Sequence, residues 1–191
     1  MTSKRKLMAL TFLAVSALAL SSAHAAGQIK GWWTNQTQDY DFGVEHVDGA
    51  PSEKSAFIKK IASAPDGYGT LSQGISAEQY RGKHVRLSAM LKSKDADGVQ
   101  FFLRIDGSEE KVLAFRNLGD APVKGTTEWK RYDIVLDVPK EAQAISYGYY
   151  LLGKGEAWAD SFKIEVVGND VPVSTPEPNL PDKPMNGDFE Q

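Results

Sequence analysis

The run Ile145-Ser-Tyr-Gly-Tyr-Tyr-Leu-Leu-Gly-Lys-Gly-Glu-Ala-Trp-Ala-Asp-Ser-Phe-Lys-Ile-Glu-Val-Val167 reads as two β-strands joined in a hairpin by a Gly-Lys-Gly turn, with aromatic residues on both of its faces. Side chains alternate along a strand, so Tyr147, Tyr149 and Leu151 share one face and Ser146, Gly148, Tyr150 and Leu152 the other. The first set is expected in a core. If Ala157 and Ala159 also pack inward, Trp158 and Asp160 join Tyr150 on the outside, with the small Ser146 and Gly148 leaving a groove beside them. Aromatic rings on an outer face suit stacking on a flat ligand such as the C–H face of a sugar, while polar neighbours hold its hydroxyls.

Further residues fit the same chemistry. Val99, Phe101, Leu103 and Ile105 form an apolar face, which turns Gln100, Phe102, Arg104 and Asp106 the other way. Adjacent strand residues face opposite sides, so at most one of Trp32 and Trp33 enters a core by alternation. Arg116 and Asn117 carry planar groups suited to vicinal hydroxyls or a uronic carboxylate. The candidate ligand-binding set is Trp33, Phe102, Arg104, Asn117, Tyr150 and Trp158. The competing reading is structural: Tyr150 and Trp158 as core under a second layer, Arg104 paired with Asp106, and Asn117 as a loop residue. Trp129 is expected to anchor the fold.

Catalytic machinery is missing from the pattern. The chain has no Gly-x-Ser-x-Gly elbow and no phosphate-cradling glycine loop. It has no cysteine, which removes disulfides, thiolate metal sites and thiol chemistry. Glu45, His46 and Asp48 are the one acid–imidazole cluster and read as solvated surface. Asp95-Ala-Asp97-Gly98 lacks the spacing and closing glutamate of an EF-hand loop and reads as a hairpin turn. No catalytic residue and no metal ligand can be assigned, and the chain is read as a non-enzyme.

These side chains need strands to position them. β-branched and aromatic runs separated by turn residues predict strands at about 30–36, 39–47, 54–62, 68–75, 84–93, 99–106, 111–117, 129–138, 144–152 and 157–167, with a short helical turn at 76–80 capped by Ser76. Turn chemistry stands at Ala64-Pro-Asp-Gly67, Arg81-Gly-Lys83, Asp95–Gly98 and Asp106-Gly107. The fold class is all-β, an antiparallel β-sandwich of the jelly-roll type.

Lys4-Arg5-Lys6, the apolar run Leu7 to Leu20 and Ala23-His24-Ala25 read as a signal peptide over residues 1–25, too short to span a bilayer comfortably. Its removal takes the chain from 191 to 166 residues and the formal charge from −3 to −6. An acidic chain without a basic cluster argues against nucleic acid and anionic lipid as partners. No later run is long and apolar enough to span a membrane, so a secreted or periplasmic location is expected. Residues 169–191 form a tail whose stretch from Gly168 to Pro184 holds five of the nine prolines, the composition of an extended linker.

Three phrases carry a resemblance: Tyr80-Arg-Gly-Lys-His-Val-Arg-Leu-Ser-Ala-Met-Leu-Lys92, Gly125-Thr-Thr-Glu-Trp-Lys-Arg-Tyr-Asp-Ile-Val-Leu-Asp-Val-Pro139, and Ile145-Ser-Tyr-Gly-Tyr-Tyr-Leu-Leu-Gly153 running on to Ala157-Trp-Ala-Asp160. Their order resembles the galactose-binding-like jelly rolls, which include several families of carbohydrate-binding modules. The resemblance covers residues 27–168 and implies a jelly-roll domain there, with a structural calcium held by loop oxygens in many members. The family pattern has two acids after the tryptophan, whereas Ser161 follows Asp160 here. Some relatives of this kind are attached to bacterial transcriptional regulators, but no helix-turn-helix pattern accompanies them here. Asn186-Gly-Asp-Phe-Glu190 looks like the opening of another such module, which reads the tail as the stub of a second one.

The expectation is an exported domain that binds carbohydrate without catalysis. The alternatives are a structural or protein-interaction sandwich, a polysaccharide hydrolase or lyase on the same fold, and a ligand-binding domain related to those of transcriptional regulators.

Overall fold

A single 23-residue strand, β5 (His84–Asp106), is the spine of the protein. At about 3.3 Å per residue it would run about 75 Å if straight, far beyond the width of a domain this size, so it must bend. The bend falls where a hairpin turn was expected. Asp95 takes a left-handed φ of 50°, and the pairing register slips between Leu91 and Ser93, between Ser93 and Ala96, and between Ala96 and Val99. Aspartate tolerates that conformation. The chain does not fold back on itself because its polar groups find partners elsewhere. The Asp95 N–H donates to Thr126 Oγ1 at 3.1 Å, and the Asp97 N–H donates to the Lys154 carbonyl at 3.2 Å. The Asp-Ala-Asp-Gly sequence is therefore a bulge within one strand, which merges the two strands expected at 84–93 and 99–106.

The structure is a computed structural model that describes residues 29–35, 38–61 and 67–174. The run read as a signal peptide (residues 1–25), residues 175–191 and the Ala64-Pro-Asp part of one expected turn lie outside the described residues. Among those described, nine strands form one continuous antiparallel network that folds into two layers at β5. The second half of β5 belongs to a sheet ordered β1 (Trp33–Thr34), β4 (Tyr68–Ser76), β8 (Ala144–Leu152), β5 and β6 (Val112–Asn117). Its first half belongs to a sheet ordered β2 (Tyr40–Glu45), β3 (Ser55–Lys60), β9 (Glu156–Val167), β5 and β7 (Val123–Asp137). This is an antiparallel β-sandwich of jelly-roll type. A 3-10 turn at Glu78–Tyr80 follows Ser76, whose Oγ accepts the Glu78 N–H at 3.3 Å. No helix among the described residues is long and apolar enough to cross a membrane.

The expected β8–β9 hairpin does not form. β8 pairs with β4 and β5, whereas β9 pairs with β3 and β5, so the two strands lie in opposite sheets. Gly153 and Gly155 carry the crossing with φ of 59° and 101°. At Gly155 a Cβ would stand 2.6 Å from Ala96 Cα, so only glycine lets the crossing pass over the β5 bulge.

The core fills the space between the sheets. Val85, Leu87, Ala89 and Leu91 line one inner face, and Val99, Phe101, Leu103, Ile105, Tyr149 and Leu151 the other, as alternation predicts. A bulge at Ser161 (φ 54°) shifts the β9 register, so that Phe162 and Ile164 continue the inward face begun by Ala157 and Ala159. Trp32 packs edge-on against Phe162 and Tyr147, with ring centroids 4.8 and 5.8 Å apart. Trp33 points the opposite way and is 62% exposed.

Candidate functional site: the outer face of the β1-β4-β8-β5-β6 sheet

Residues opposite one another in antiparallel strands share a face. Trp33 opposes Ser72, Ser72 opposes Gly148, Gly148 opposes Phe102, and Phe102 opposes Asn117. One row of outward side chains thus crosses all five strands. Next to it on one side run Thr70, Tyr150 and Gln100, followed by Tyr68 and Leu152. On the other side run Gly74, Ser146, Arg104 and Phe115. Three inter-strand steps of about 4.8 Å separate Trp33 from Phe102, roughly 14 Å. Directly between them stand only Ser72 and Gly148, flanked by Gly74 and Ser146 on one side and by Thr70 and Tyr150 on the other. The result is a trough floored by small residues, with Trp33 on one side and Phe102 on the other. The Trp33 ring leans over the floor, where a Cβ on Gly74 would lie 3.2 Å from it.

Five of the six sequence candidates therefore share this face: Trp33, Phe102, Arg104, Asn117 and Tyr150. A hollow of about 440 Å³ is bounded by Tyr68, Phe102, Phe115 and Tyr150, with Thr70, Gln100 and Arg104 as its polar lining and no carboxylate. The Phe102 and Tyr68 rings each stand 6.0 Å from the Tyr150 ring. The Tyr150 hydroxyl accepts from Asn117 Nδ2 at 2.7 Å and donates to Gln100 Oε1 at 2.5 Å. Asn117 Oδ1 in turn accepts the Gly119 N–H at 2.9 Å. Burial pushes the Tyr150 phenol above its ordinary pKa, opposed by the Asn117 hydrogen bond, so the ring stays neutral and its orientation is latched. Arg104 Nε donates to Asp106 Oδ1 at 2.7 Å, the internal pair considered from the sequence. Arg116 is engaged with Asp120 at 2.7 Å. A second hollow of about 560 Å³ meets the first at Arg104 and is lined by Asp106, Glu109, Glu110 and Ser146.

Tyr68 and Phe115, 47% and 46% exposed, were missed as candidates. Alternation places both on outer faces, but only the pairings of β4 with β8 and of β6 with β5 bring them beside Phe102 and Tyr150.

Trp158 is not brought to this groove. It lies on the outer face of the other sheet, opposite Phe57 and Lys92, and is only 7% exposed. Its Nε1 donates to Glu45 Oε1 at 2.6 Å, and Lys59 Nζ sits 5.6 Å from its ring and 4.5 Å from that of Phe57. Lys59 also pairs with Glu45 at 2.8 Å. Burial works to raise the Glu45 pKa, but the hydrogen bonds from Lys59 and Trp158 prevail and lower it. Of the expected solvated cluster, His46 and Asp48 are open to solvent, whereas Glu45 is built into this arrangement.

The calcium that the resemblance implies would need an anchoring cluster of oxygen ligands. Such an ion takes six to eight oxygen ligands. Among the described residues no group of three or more carboxylate or imidazole side chains converges. The buried carboxylate of Asp160 is already surrounded by donors: the Ser52 N–H at 3.2 Å and the hydroxyls of Ser52, Ser55 and Ser161 at 2.9 to 3.2 Å.

No family model matches the chain. An uncharacterised HTH-type transcriptional regulator of Bacillus subtilis strain 168, YbfP, is 35% identical over 173 residues. The match takes in 86% of this chain, which spans 58% of the length of that relative. Among solved structures, the enzymatically active domain of bacteriophage CBA120 tailspike protein 4 aligns with a TM-score of 0.59 at 11% identity, over 72% of this chain and 20% of that one. A CBM4 module aligns with a TM-score of 0.52 at 16% identity, over 71% of this chain and 86% of the module. TmCBM61, solved with β-1,4-galactotriose, aligns with a TM-score of 0.51 at 15% identity, over 74% and 92%. The chain carries the jelly-roll β-sandwich fold of the carbohydrate-binding modules.

Proposed function

We propose that this chain is an exported, non-catalytic domain that binds glycan in the trough between Trp33 and Phe102. One observation carries the reading: the pairing register sets exposed or half-exposed aromatic residues around a floor of serine and glycine, with amide, hydroxyl and guanidinium groups at hand. Sugar rings offer C–H faces to aromatic rings and hydroxyls to those polar groups. Modules of the same fold that align over most of their length support the reading. The signal-like residues 1–25 support export.

A second reading rests on the Bacillus relative, in which the corresponding region belongs to a regulator by name. On that reading the trough is a small-glycan sensor. The described residues here contain only two 3-10 turns and no α-helix to enter a DNA groove.

The test is titration of the protein with soluble polysaccharides and short oligosaccharides, followed by tryptophan fluorescence. Trp33, being exposed, is the expected reporter. Saturable quenching or a blue shift, lost in Trp33→Ala and in Phe102→Ala while both remain folded, supports binding on this face. Silence across neutral, acidic and amino-sugar ligands refutes it. Saturation by oligosaccharides but not by polymers favours the sensor.

A further inference from the structure

The two hollows meet at Arg104, the cation that a uronate or sulfate on a glycan chain would seek. From the charges around it we infer that Asp106 makes the groove select against anionic glycans; this rests on the glycan-binding reading above. The Arg104 side chain is 39% exposed, enough to reach a ligand, but its Nε is committed to Asp106 Oδ1 at 2.7 Å. Asp106 is the better buried partner, with its side chain 13% exposed, so the neutralising charge sits in the floor and is not swept aside by solvent. The adjoining hollow adds Glu109 and Glu110 and no further cation. The charged side chains lining the two hollows are thus one cation and three anions. Arg116, the guanidinium of β6, alternates with the outward Phe115 and Asn117 and is held by Asp120 at 2.7 Å. A neutral glycan meets rings and hydrogen-bonding groups along this path. A polyanionic one meets, beyond Arg104, a hollow lined by three carboxylates, and like charges close together repel strongly in a partly desolvated groove.

The chemistry has a direct test in the full chain. Affinity for a soluble neutral β-1,4-galactan and for polygalacturonate is measured by calorimetry at low and high salt, for the wild type and for Asp106→Asn. The wild type is expected to bind the neutral polymer with little salt dependence and polygalacturonate at least tenfold more weakly. Asp106→Asn frees the guanidinium and should raise the polygalacturonate-to-galactan affinity ratio about tenfold, an effect that fades as salt screens it. Glu109→Gln with Glu110→Gln alters only exposed side chains and should move the ratio in the same direction, so a folding defect in Asp106→Asn does not stop the test. Asp133→Asn, on the other sheet, controls for net charge and should leave the ratio unchanged. Equal wild-type affinity for both polymers, or an unchanged ratio in both groove variants, overturns the inference while leaving glycan binding intact. Wild-type silence toward neutral and anionic glycans alike overturns both.

Discussion

Replacing Tyr150 by phenylalanine keeps the ring and removes only the hydroxyl that latches it. That hydroxyl takes a 2.7 Å bond from Asn117 Nδ2 and makes a 2.5 Å bond to Gln100 Oε1. A net intramolecular hydrogen bond contributes about 1 kcal/mol, and an amide left without a partner costs more only where water cannot reach it. Asn117 and Gln100 are half-buried, so water replaces part of the loss. The expected destabilisation of Tyr150→Phe is therefore about 1–2 kcal/mol, equivalent to a fall of about 2–8 °C in Tm for a domain of this size. Urea unfolding followed by circular dichroism measures it. Asn117→Ala alone should cost a similar amount, because it removes the same bond from the other side. The double variant should be less destabilised than the sum of the singles by about 0.5–1 kcal/mol, the signature of a shared bond. Glycan affinity should drop modestly in Tyr150→Phe and by about tenfold or more in Tyr150→Ala, where the stacking surface itself is gone. Additive single effects, or a Tyr150→Phe variant as stable as the wild type, would refute the claim that the groove wall is fixed by this triad.

Trp158→Phe should lower stability by about 1–3 kcal/mol, through loss of the Glu45 bond and of packing volume, and leave glycan affinity unchanged; a loss of binding in a stable variant would return Trp158 to the site. Gly155→Ala should destabilise by about 2–3 kcal/mol, since φ is 101° and the new Cβ would press on Ala96 and the Asp95 carbonyl. Gly125→Ala, at φ 70° with nothing within 4 Å, should cost only the conformational term of about 1–2 kcal/mol, and urea melts of the pair separate crowding from strain. Burial raises the pKa of Tyr40, Tyr132, Tyr147, Tyr149 and Tyr150 above the ordinary 10.0, so the folded state holds these phenols neutral where the unfolded chain would ionise them. Their contribution to stability is complete below pH 10 and is lost as pH climbs past it. Absorbance at 295 nm should show their ionisation delayed until the chain unfolds, and a single unperturbed titration near pH 10 would contradict the burial.

Period-two alternation is a property of the backbone alone, so it can be read locally. It correctly sorted Val85, Leu87, Ala89 and Leu91, the Val99–Ile105 set, and Tyr147, Tyr149 and Leu151 into the core, and it turned Phe102 and Tyr150 outward. It also required Trp32 and Trp33 to part. Which outward faces are the same face is a different question, and only the tertiary structure answers it. Trp33 reaches Phe102 through three successive strand pairings, β1 with β4, β4 with β8, and β8 with β5, the most distant of them joining Ser72 to Gly148, 76 positions along the chain. Tyr68 and Phe115 join by the same long-range route. The two misreadings have the same origin. Asp95-Ala-Asp-Gly98 and Gly153-Lys-Gly155 both carry turn chemistry, but such residues specify a left-handed backbone or a close approach, not where the chain goes next. Partners on β7 and on the 153–155 crossing made the first a bulge, and the curvature of β5 made the second a passage between sheets. That passage carried Trp158 away from Tyr150, eight residues earlier, to the opposite side of the protein. Local periodicity thus determined which side chains face out, while non-local hydrogen bonding decided which of them meet.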